Sequence, residues 1–447
     1  MRNRPRLWIV AVGVLCGIVT MTSAQEGTRA RPAGGALALI GGTLIDGTGA
    51  APVRNSVVLI RGERIERVGT VATLPVPGDY ERVSTEGMSV LPGLWDPHVH
   101  LIYAGHPNLG EWLTKYSAQL EREVMPATAE QLLMAGVTSV RDLGAPLEIL
   151  NVKKRIDSGE TPGPTIYAAG PFLTNAGFGP HSLAVADEAA ARVATKRLIA
   201  AGVNVIKFVN ADRLAPGVAR AIVDEAHAAG LKTTAHGRSD AEIRAAIEAG
   251  VDELQHIGTQ GGEYPQDVVA AIRQRIGRGQ KVSWSPTVGP DLNARELASD
   301  PEFLDDARNF RALPALMATD IREALAKLTP RAPAPESEKT VQRKVTQLGE
   351  LGVELVFGSD EGTFGQTAAQ ATWRELDAWV RDLGVQPLAA VRAATLDAAR
   401  FLGADRESGS VTQGKFADVI AVAGNPLRHI DVLRDPAIVI KHGRRYR

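Results

Sequence analysis

This chain of 447 residues has little cysteine, few aromatic residues and no excess charge of either sign. Its single cysteine, Cys16, can form neither an internal disulfide nor a thiolate metal site, so any bound metal must use histidine, carboxylate or modified lysine ligands. The formal net charge of −1 provides no basic excess for binding nucleic acid. The remaining composition, 44% hydrophobic and 23% charged, is typical of folded proteins and excludes a disordered, collagen-like or multispan membrane chain.

The first 24 residues have the pattern of a secretory signal peptide. Arginines at positions 2, 4 and 6 precede the apolar run 7–21, and small residues at 22–24 match the positions that a signal peptidase reads. The apolar run is shorter than the ~20 residues that span a bilayer. We therefore expect cleavage after Ala24, no stable membrane insertion afterwards, and a periplasmic or secreted location. The mature protein would then contain no cysteine.

The alternation of helical stretches with short apolar segments predicts an α/β fold. Residues 25–35 are expected to be a flexible leader, residues 89–404 a (β/α)8 TIM-like barrel, and residues 36–88 and 405–447 two parts of a small β-sandwich domain. The eight strands that a closed barrel of this kind requires are assigned to 89–95, 137–140, 165–169, 203–207, 231–235, 251–255, 281–285 and 353–358.

Polar residues stand at the ends of these predicted strands. In a parallel barrel the carboxyl ends of all strands converge on one face, so their polar side chains meet there. His98 and His100 are two residues apart on a strand and therefore share a side. The complete set of candidate metal ligands is His98, His100, Lys207, His236, His256 and Asp360.

This donor set suits a pair of divalent cations ~3.5–4 Å apart, with coordination positions left for hydroxide and substrate. Lys207 does not fit as an ammonium, because two dications would repel it. Either Lys207 is carbamylated by carbon dioxide and becomes an anionic bridging ligand, or only one metal binds.

The sequence resembles the amidohydrolase superfamily, and within it the imidazolonepropionase-like branch that includes metal-dependent Xaa-Pro and Xaa-Arg/Lys dipeptidases. The matching segments are LPGLWDPHVH at 91–100, GVTSVRD at 136–142, VIK at 205–207, AH at 235–236, QH at 255–256 and GSD at 358–360, with flanking matches at 44–49, 414–418 and 424–426. The resemblance implies two divalent ions, with zinc as the expected metal, and a carbamate on Lys207. It also implies that a metal-bridging hydroxide cleaves a carbon–nitrogen bond, while Asp360 acts first as general base and then as general acid.

Amide or peptide hydrolysis is favoured over deamination, because deaminases on this scaffold have a glutamate three residues after the fifth-strand histidine and here that residue is Ser239. The expected substrate is a small molecule, such as a dipeptide or an N-acyl amino acid. His181 and Arg238 are candidate substrate-binding residues, Arg238 because it can pair with a carboxylate.

Three questions stay open at this point. The chain can instead be a mononuclear cyclic-amide hydrolase like imidazolonepropionase, or a catalytically inactive ligand-binding protein on the same scaffold. A homo-oligomer is also compatible with the sequence. The segment from Pro286 to Glu350, which is too long for a simple connection, is expected to carry helices that cover the site or to be a surface insertion.

Overall fold

A computed structural model describes residues 35–258, 261–292, 302–327 and 335–447. The predicted signal peptide at 1–24, and all of the leader except residue 35, lie outside these residues. Within the described ranges, no helix is long and apolar enough to cross a bilayer.

The strands of the described residues, numbered β1 to β19 in this order, are Ala36–Ile40, Thr43–Leu44, Ser56–Arg61, Arg64–Thr70, Glu81–Ser84, Met88–Pro92, Leu94–Val99, Val137–Asp142, Thr165–Ala168, Phe172–Thr174, Ser182–Ala184, Ile206–Phe208, Thr233–His236, Glu253–Gln255, Ser283–Ser285, Glu354–Leu355, Val419–Ala423, Ile438–Lys441 and Arg444–Arg445. The α-helices are Leu109–Tyr116, Met125–Met134, Ile149–Asp157, Glu188–Ala201, Val218–Ala228, Asp240–Ala249, Gln266–Gly277, Gly289–Leu292, Ala315–Ala326, Pro335–Glu350, Ala371–Arg381, Pro387–Arg392 and Ala398–Phe401.

The strands of the central region form two parallel sheets, which confirms the α/β class. One sheet has the order β7-β8-β9 and the other the order β11-β10-β12-β13-β14-β15-β16. The Asn204 amide donates to the Ala168 carbonyl at 2.7 Å, which joins the end of β9 to the segment before β12. A parallel bridge between Val99 and Glu361 joins the end of β7 to the segment after β16. The strand pairs of the described residues do not form one continuous eight-stranded ladder, because no strand pairing joins β9 to the second sheet and only an isolated bridge links the segment after β16 to β7.

The predicted strand 89–95 is wrong as a single element, because it consists of two strands in different sheets. β6 pairs with β17 and β2, whereas β7 pairs with β8. The switch occurs at Gly93, whose amide donates to the Asp418 carbonyl at 2.9 Å while the next amide, of Leu94, donates to the Gly136 carbonyl. A Cβ atom at Gly93 would collide with the Thr138 side chain, so this crossing requires glycine.

Two further sheets combine segments from both ends of the chain. A four-stranded sheet has the order β4-β3-β1-β5, and a five-stranded sheet has the order β19-β18-β17-β6-β2. Buried residues of both sheets, including Leu39, Val58, Val419 and Ile440, form one hydrophobic cluster. The far C-terminal strands therefore pack against the segment that leads into the first parallel strand, β7.

Helix ends in the central region position the strands that follow. The helices Glu188–Ala201 and Asp240–Ala249 end at Gly202 and Gly250, which have left-handed φ angles of 91° and 99°. Such a C-cap stops the helix and redirects the chain into the next strand. The segment from Pro286 to Glu350 carries helices, as expected, at Gly289–Leu292, Ala315–Ala326 and Pro335–Glu350.

Candidate active site

A cluster of His98, His100 and Asp360 lies where β7 ends next to the segment after β16. All three side chains are buried, and one ligand atom from each lies within 4.8 Å of the others. The Nε2 atoms of His98 and His100 are each 3.3 Å from Asp360 Oδ1. Asp360 has a left-handed φ of 57°, which turns the chain sharply at this residue. The structure therefore brings three of the six predicted ligands into one compact group.

His236 and His256 lie beside this cluster. The ring centroids of His236 and His256 are 4.5 Å apart, and those of His98 and His256 are 5.1 Å apart. His256 has a left-handed φ of 70°, and its Nδ1 contacts Thr287 Oγ1 at 2.8 Å, which fixes the ring. Burial lowers the pKa values of His98, His236 and His256 well below the ordinary value, so these rings are neutral near pH 7, as metal ligation requires.

Lys207 points a nitrogen into the same buried region. It is the central residue of β12, is almost fully buried, and its Nζ makes no hydrogen bond to any described residue. Burial lowers the pKa of its ammonium to about 7. A substantial fraction of the side chain is therefore the neutral amine at neutral pH.

Asp96, which sequence reasoning did not single out, connects the two segments that carry the cluster. Its Oδ1 accepts hydrogen bonds from the backbone amides of His98 and Ser359, at 3.2 and 3.1 Å. Its Oδ2 accepts from the hydroxyls of Ser359 and Thr372, at 2.6 and 2.8 Å. Asp96 thereby holds the histidine strand against the residue that precedes Asp360.

A buried ion pair lies among the strands close to these ligands. Arg141 donates from Nη2 to Glu253 Oε1 at 2.7 Å and from Nε to the carbonyl of Pro97, the residue before His98, at 2.7 Å. Both side chains are 2% exposed or less, so the pair is strongly desolvated. Arg141 is therefore a structural residue that ties β8 to β14 and to the end of β7.

A cavity of about 560 Å³ opens onto the cluster, and both predicted substrate-binding residues line it, together with Lys207, His236 and Asp360. His181 is buried and its Nε2 contacts the Tyr103 hydroxyl at 2.9 Å. Burial lowers the pKa of His181 to about 4, so the ring is neutral at pH 7. The Arg238 side chain is half exposed, and its Nη2 atom lies 3.8 Å from Asp360 Oδ2.

Glu242 is a second residue that the sequence did not single out as functional. Its Oε2 accepts from the Arg238 amide at 3.1 Å and its Oε1 from the Asn210 amide at 2.8 Å. Ser239 caps the same helix by accepting from the Glu242 amide. The S-x-x-E spacing of Ser239 and Glu242 is the pattern of a capping box and was the available signal. Here the glutamate holds two cavity loops instead.

The residues present fit a metal ion. Within the described part of the chain, both ring nitrogens of His98, Nδ1 of His100, Nε2 of His256 and Nζ of Lys207 are buried without a hydrogen-bond partner. Buried polar atoms of folded proteins are rarely left in that state. Neutral imidazoles and carboxylates are also the donors that zinc and similar divalent ions prefer.

Comparisons of the sequence and of the structure with known proteins indicate the same family. Residues 89–445 match the profile of the Amidohydrolase family. The chain is 28% identical to ochratoxinase of Aspergillus niger, over 89% of this chain and 83% of that protein. It is 27% identical to imidazolonepropionase of Symbiobacterium thermophilum, over 88% of each chain. The solved structure of a candidate prolidase from Bifidobacterium longum superimposes with a TM-score of 0.70 at 27% identity, covering 93% of this chain and 95% of that one.

Proposed function

Since this chain belongs to the amidohydrolase family and is a hydrolase acting on carbon–nitrogen bonds, we propose that it cleaves an amide or peptide bond at a two-metal centre. The observation that carries this proposal is the buried group of His98, His100 and Asp360, in which two imidazole nitrogens approach one carboxylate oxygen to 3.3 Å. The likeness to a candidate prolidase favours a dipeptide as substrate, and an N-acyl amino acid is the alternative that the sequence also allows.

The residues that would hold the ions are His98, His100, Lys207, His236, His256 and Asp360, with zinc as the preferred metal. Lys207 would contribute as a carbamate, formed when its neutral amine adds to carbon dioxide and releases a proton. The lowered pKa of Lys207 supports this step, because only the unprotonated amine can react. When bound, divalent metal ions supply a water of lowered pKa and polarise the substrate carbonyl.

Asp360 is the proposed proton carrier. Its Oδ1 lies 3.3 Å from both His98 and His100, whereas its Oδ2 lies 3.8 Å from His256 and from Arg238, which lines the cavity. Oδ2 is therefore placed to accept a proton from the attacking water and to return it to the departing nitrogen.

Metal analysis of the purified protein tests this proposal. We expect about two ions per chain in the wild type and fewer after Lys207→Ala, with no change after the control substitution Lys196→Ala on the surface. One ion per chain, insensitive to Lys207→Ala, would favour the mononuclear cyclic-amide reading instead. Full metal loading without turnover of any dipeptide, N-acyl amino acid or cyclic amide would favour an inactive binding protein. Asp360→Asn is expected to abolish turnover in the active case.

We also propose that the two parallel sheets are arcs of one (β/α)8 barrel, and that the four- and five-stranded sheets form a β-sandwich. The backbone contacts between Asn204 and Ala168 and between Val99 and Glu361 support the first inference. Export to the periplasm or medium is a further proposal, supported by the pattern of residues 1–24. N-terminal sequencing of the exported protein should begin at Gln25, and a start at Met1 would contradict it.

A further inference from the structure

Two exposed aromatic side chains stand out on the described surface. Phe178 is 52% exposed and Phe364 is 51% exposed, and both line the cavity above the candidate metal ligands. The other large apolar side chains exposed on the described residues are aliphatic, at Val53, Val71, Val193 and Leu316, and none of them lines this cavity. Exposed aromatic rings that converge on one concave site are typical of ligand contact.

Phe178 belongs to a larger aromatic wall, which it forms with Phe172, His181 and Tyr103. The ring centroids of Phe172 and Phe178 are 6.2 Å apart, and Phe172 meets His181 edge-on at 5.1 Å. Tyr103 in turn contacts His181 through its hydroxyl and its ring. The wall is therefore anchored by the buried Tyr103 and His181 and ends in the exposed ring of Phe178.

A second cavity, of about 540 Å³, lies on the other side of Arg238, Asp360 and Phe364, which line both cavities. Its remaining described lining includes Ser239, Thr287 and Asp291, and its only rings besides Phe364 are those of His256, a candidate metal ligand, and Pro290. The first cavity is the aromatic lobe and the second the polar lobe. Asp360, the proposed proton carrier, lies where the two lobes meet, so a bond cleaved there has one side in each lobe.

Building on the proposed function, we propose that the substrates are amides that join a large apolar, preferably aromatic, group to an amino acid with a free carboxylate. The apolar group occupies the aromatic lobe, where Phe178 and Phe364 lose exposed surface on contact. The carboxylate pairs with Arg238, whose guanidinium is half exposed at the junction of the lobes. Phe178 and Phe364 thus determine specificity, and Arg238 sets the orientation of the substrate.

The first experiment compares N-(2-naphthoyl)glycine with N-acetylglycine, by kcat/KM in the metal-loaded enzyme and by calorimetric binding to metal-loaded Asp360→Asn. We expect the naphthoyl compound to be favoured by about 30-fold or more in both measurements. Phe178→Ala and Phe364→Ala should each lower its advantage by about 10-fold and change the acetyl compound by less than about 2-fold. Leu316→Ala, which removes an exposed apolar side chain outside the cavity, should change neither.

The second experiment addresses the carboxylate. Arg238→Gln should weaken binding of N-(2-naphthoyl)glycine by about 10-fold and leave that of its neutral glycinamide analogue unchanged. Equal effects on both compounds, or equal affinity of the naphthoyl and acetyl compounds, would overturn the substrate class proposed here. Turnover without an aromatic preference would leave the hydrolase proposal intact. Aromatic-selective binding without any turnover would instead support the lobes and contradict the amide-cleaving function.

Discussion

The four hydrogen bonds accepted by Asp96 predict very different outcomes for two substitutions at this position. Oδ1 accepts only from the backbone amides of His98 and Ser359, and Oδ2 accepts only from the hydroxyls of Ser359 and Thr372. Asp96→Ala removes both acceptor oxygens, and with them all four hydrogen bonds, from a fully buried place. Asp96→Asn keeps an oxygen for the two amides and presents an NH2 group to two hydroxyls, which can rotate and accept from it.

The expected magnitudes follow from which donors are left without an acceptor. An orphaned buried donor costs about 1–3 kcal/mol, and the two amides cannot rotate away, so Asp96→Ala should lower the free energy of unfolding by about 4 kcal/mol. That is a large part of the ~5–15 kcal/mol available to a typical domain. Asp96→Asn leaves no amide unsatisfied and should cost about 1 kcal/mol or less.

Urea unfolding of chelator-treated protein measures both values without any contribution from metal charge. A loss after Asp96→Asn as large as after Asp96→Ala would refute the hydrogen-bond reasoning, because it would show that the negative charge is what matters. A loss below about 1 kcal/mol after Asp96→Ala would show that the two segments hold together without this side chain.

Two further predictions concern buried charges outside the proposed ligand set. Arg141→Met should destabilise the protein by about 3–5 kcal/mol because it strands the Glu253 carboxylate, and the double variant with Glu253→Leu should recover most of that loss; additive urea-unfolding losses would contradict this. Burial raises the pKa of Glu375 to about 8, from a model-peptide value near 4.5. The folded state therefore holds more protons between these pH values, and the wild type should lose about 1.4 kcal/mol per pH unit relative to Glu375→Gln as the pH rises from 5 to 8. Parallel unfolding profiles of the two proteins across this range would contradict it.

The candidate ligands were predictable because their positions depend on backbone geometry alone. Parallel strands bring their carboxyl ends together, so His98, His236 and His256 could be assigned to one place from the order of glycines and polar residues. The relation of Asp96 to Ser359 was not predictable in this way. The hydrogen bond between Ser359 and Asp96 joins residues more than 260 positions apart, and it depends on side-chain rotamers that no local sequence pattern encodes.

The ends of the first parallel strand show the same difference between what the local sequence predicts and what contacts between distant residues decide. Residues 89–95 read as one apolar strand, since β6 and β7 are both buried and both rich in apolar residues. The chain changes sheets at Gly93, because the residues before it (β6) pair with β17 and the residues after it (β7) pair with β8. Tertiary pairing of this kind overrides local hydrophobic pattern, and strand ends are therefore less predictable than strand existence.

The aromatic lobe is intermediate in how far the sequence predicts it. Its rings are on loops, but these loops are hydrogen-bonded to the ligand-bearing segments. Thr363 donates from its hydroxyl to the Asp360 carbonyl at 2.8 Å, and the Gly365 amide donates to the Gly105 carbonyl at 3.0 Å, on either side of Phe364. On the other loop, the Phe178 amide donates to Ser182 Oγ at 2.7 Å. A ring held on both sides by such bonds is placed before substrate arrives, so little ordering entropy opposes binding. On the proposed function, substitutions that shift Asp360 should therefore change metal content and substrate preference together.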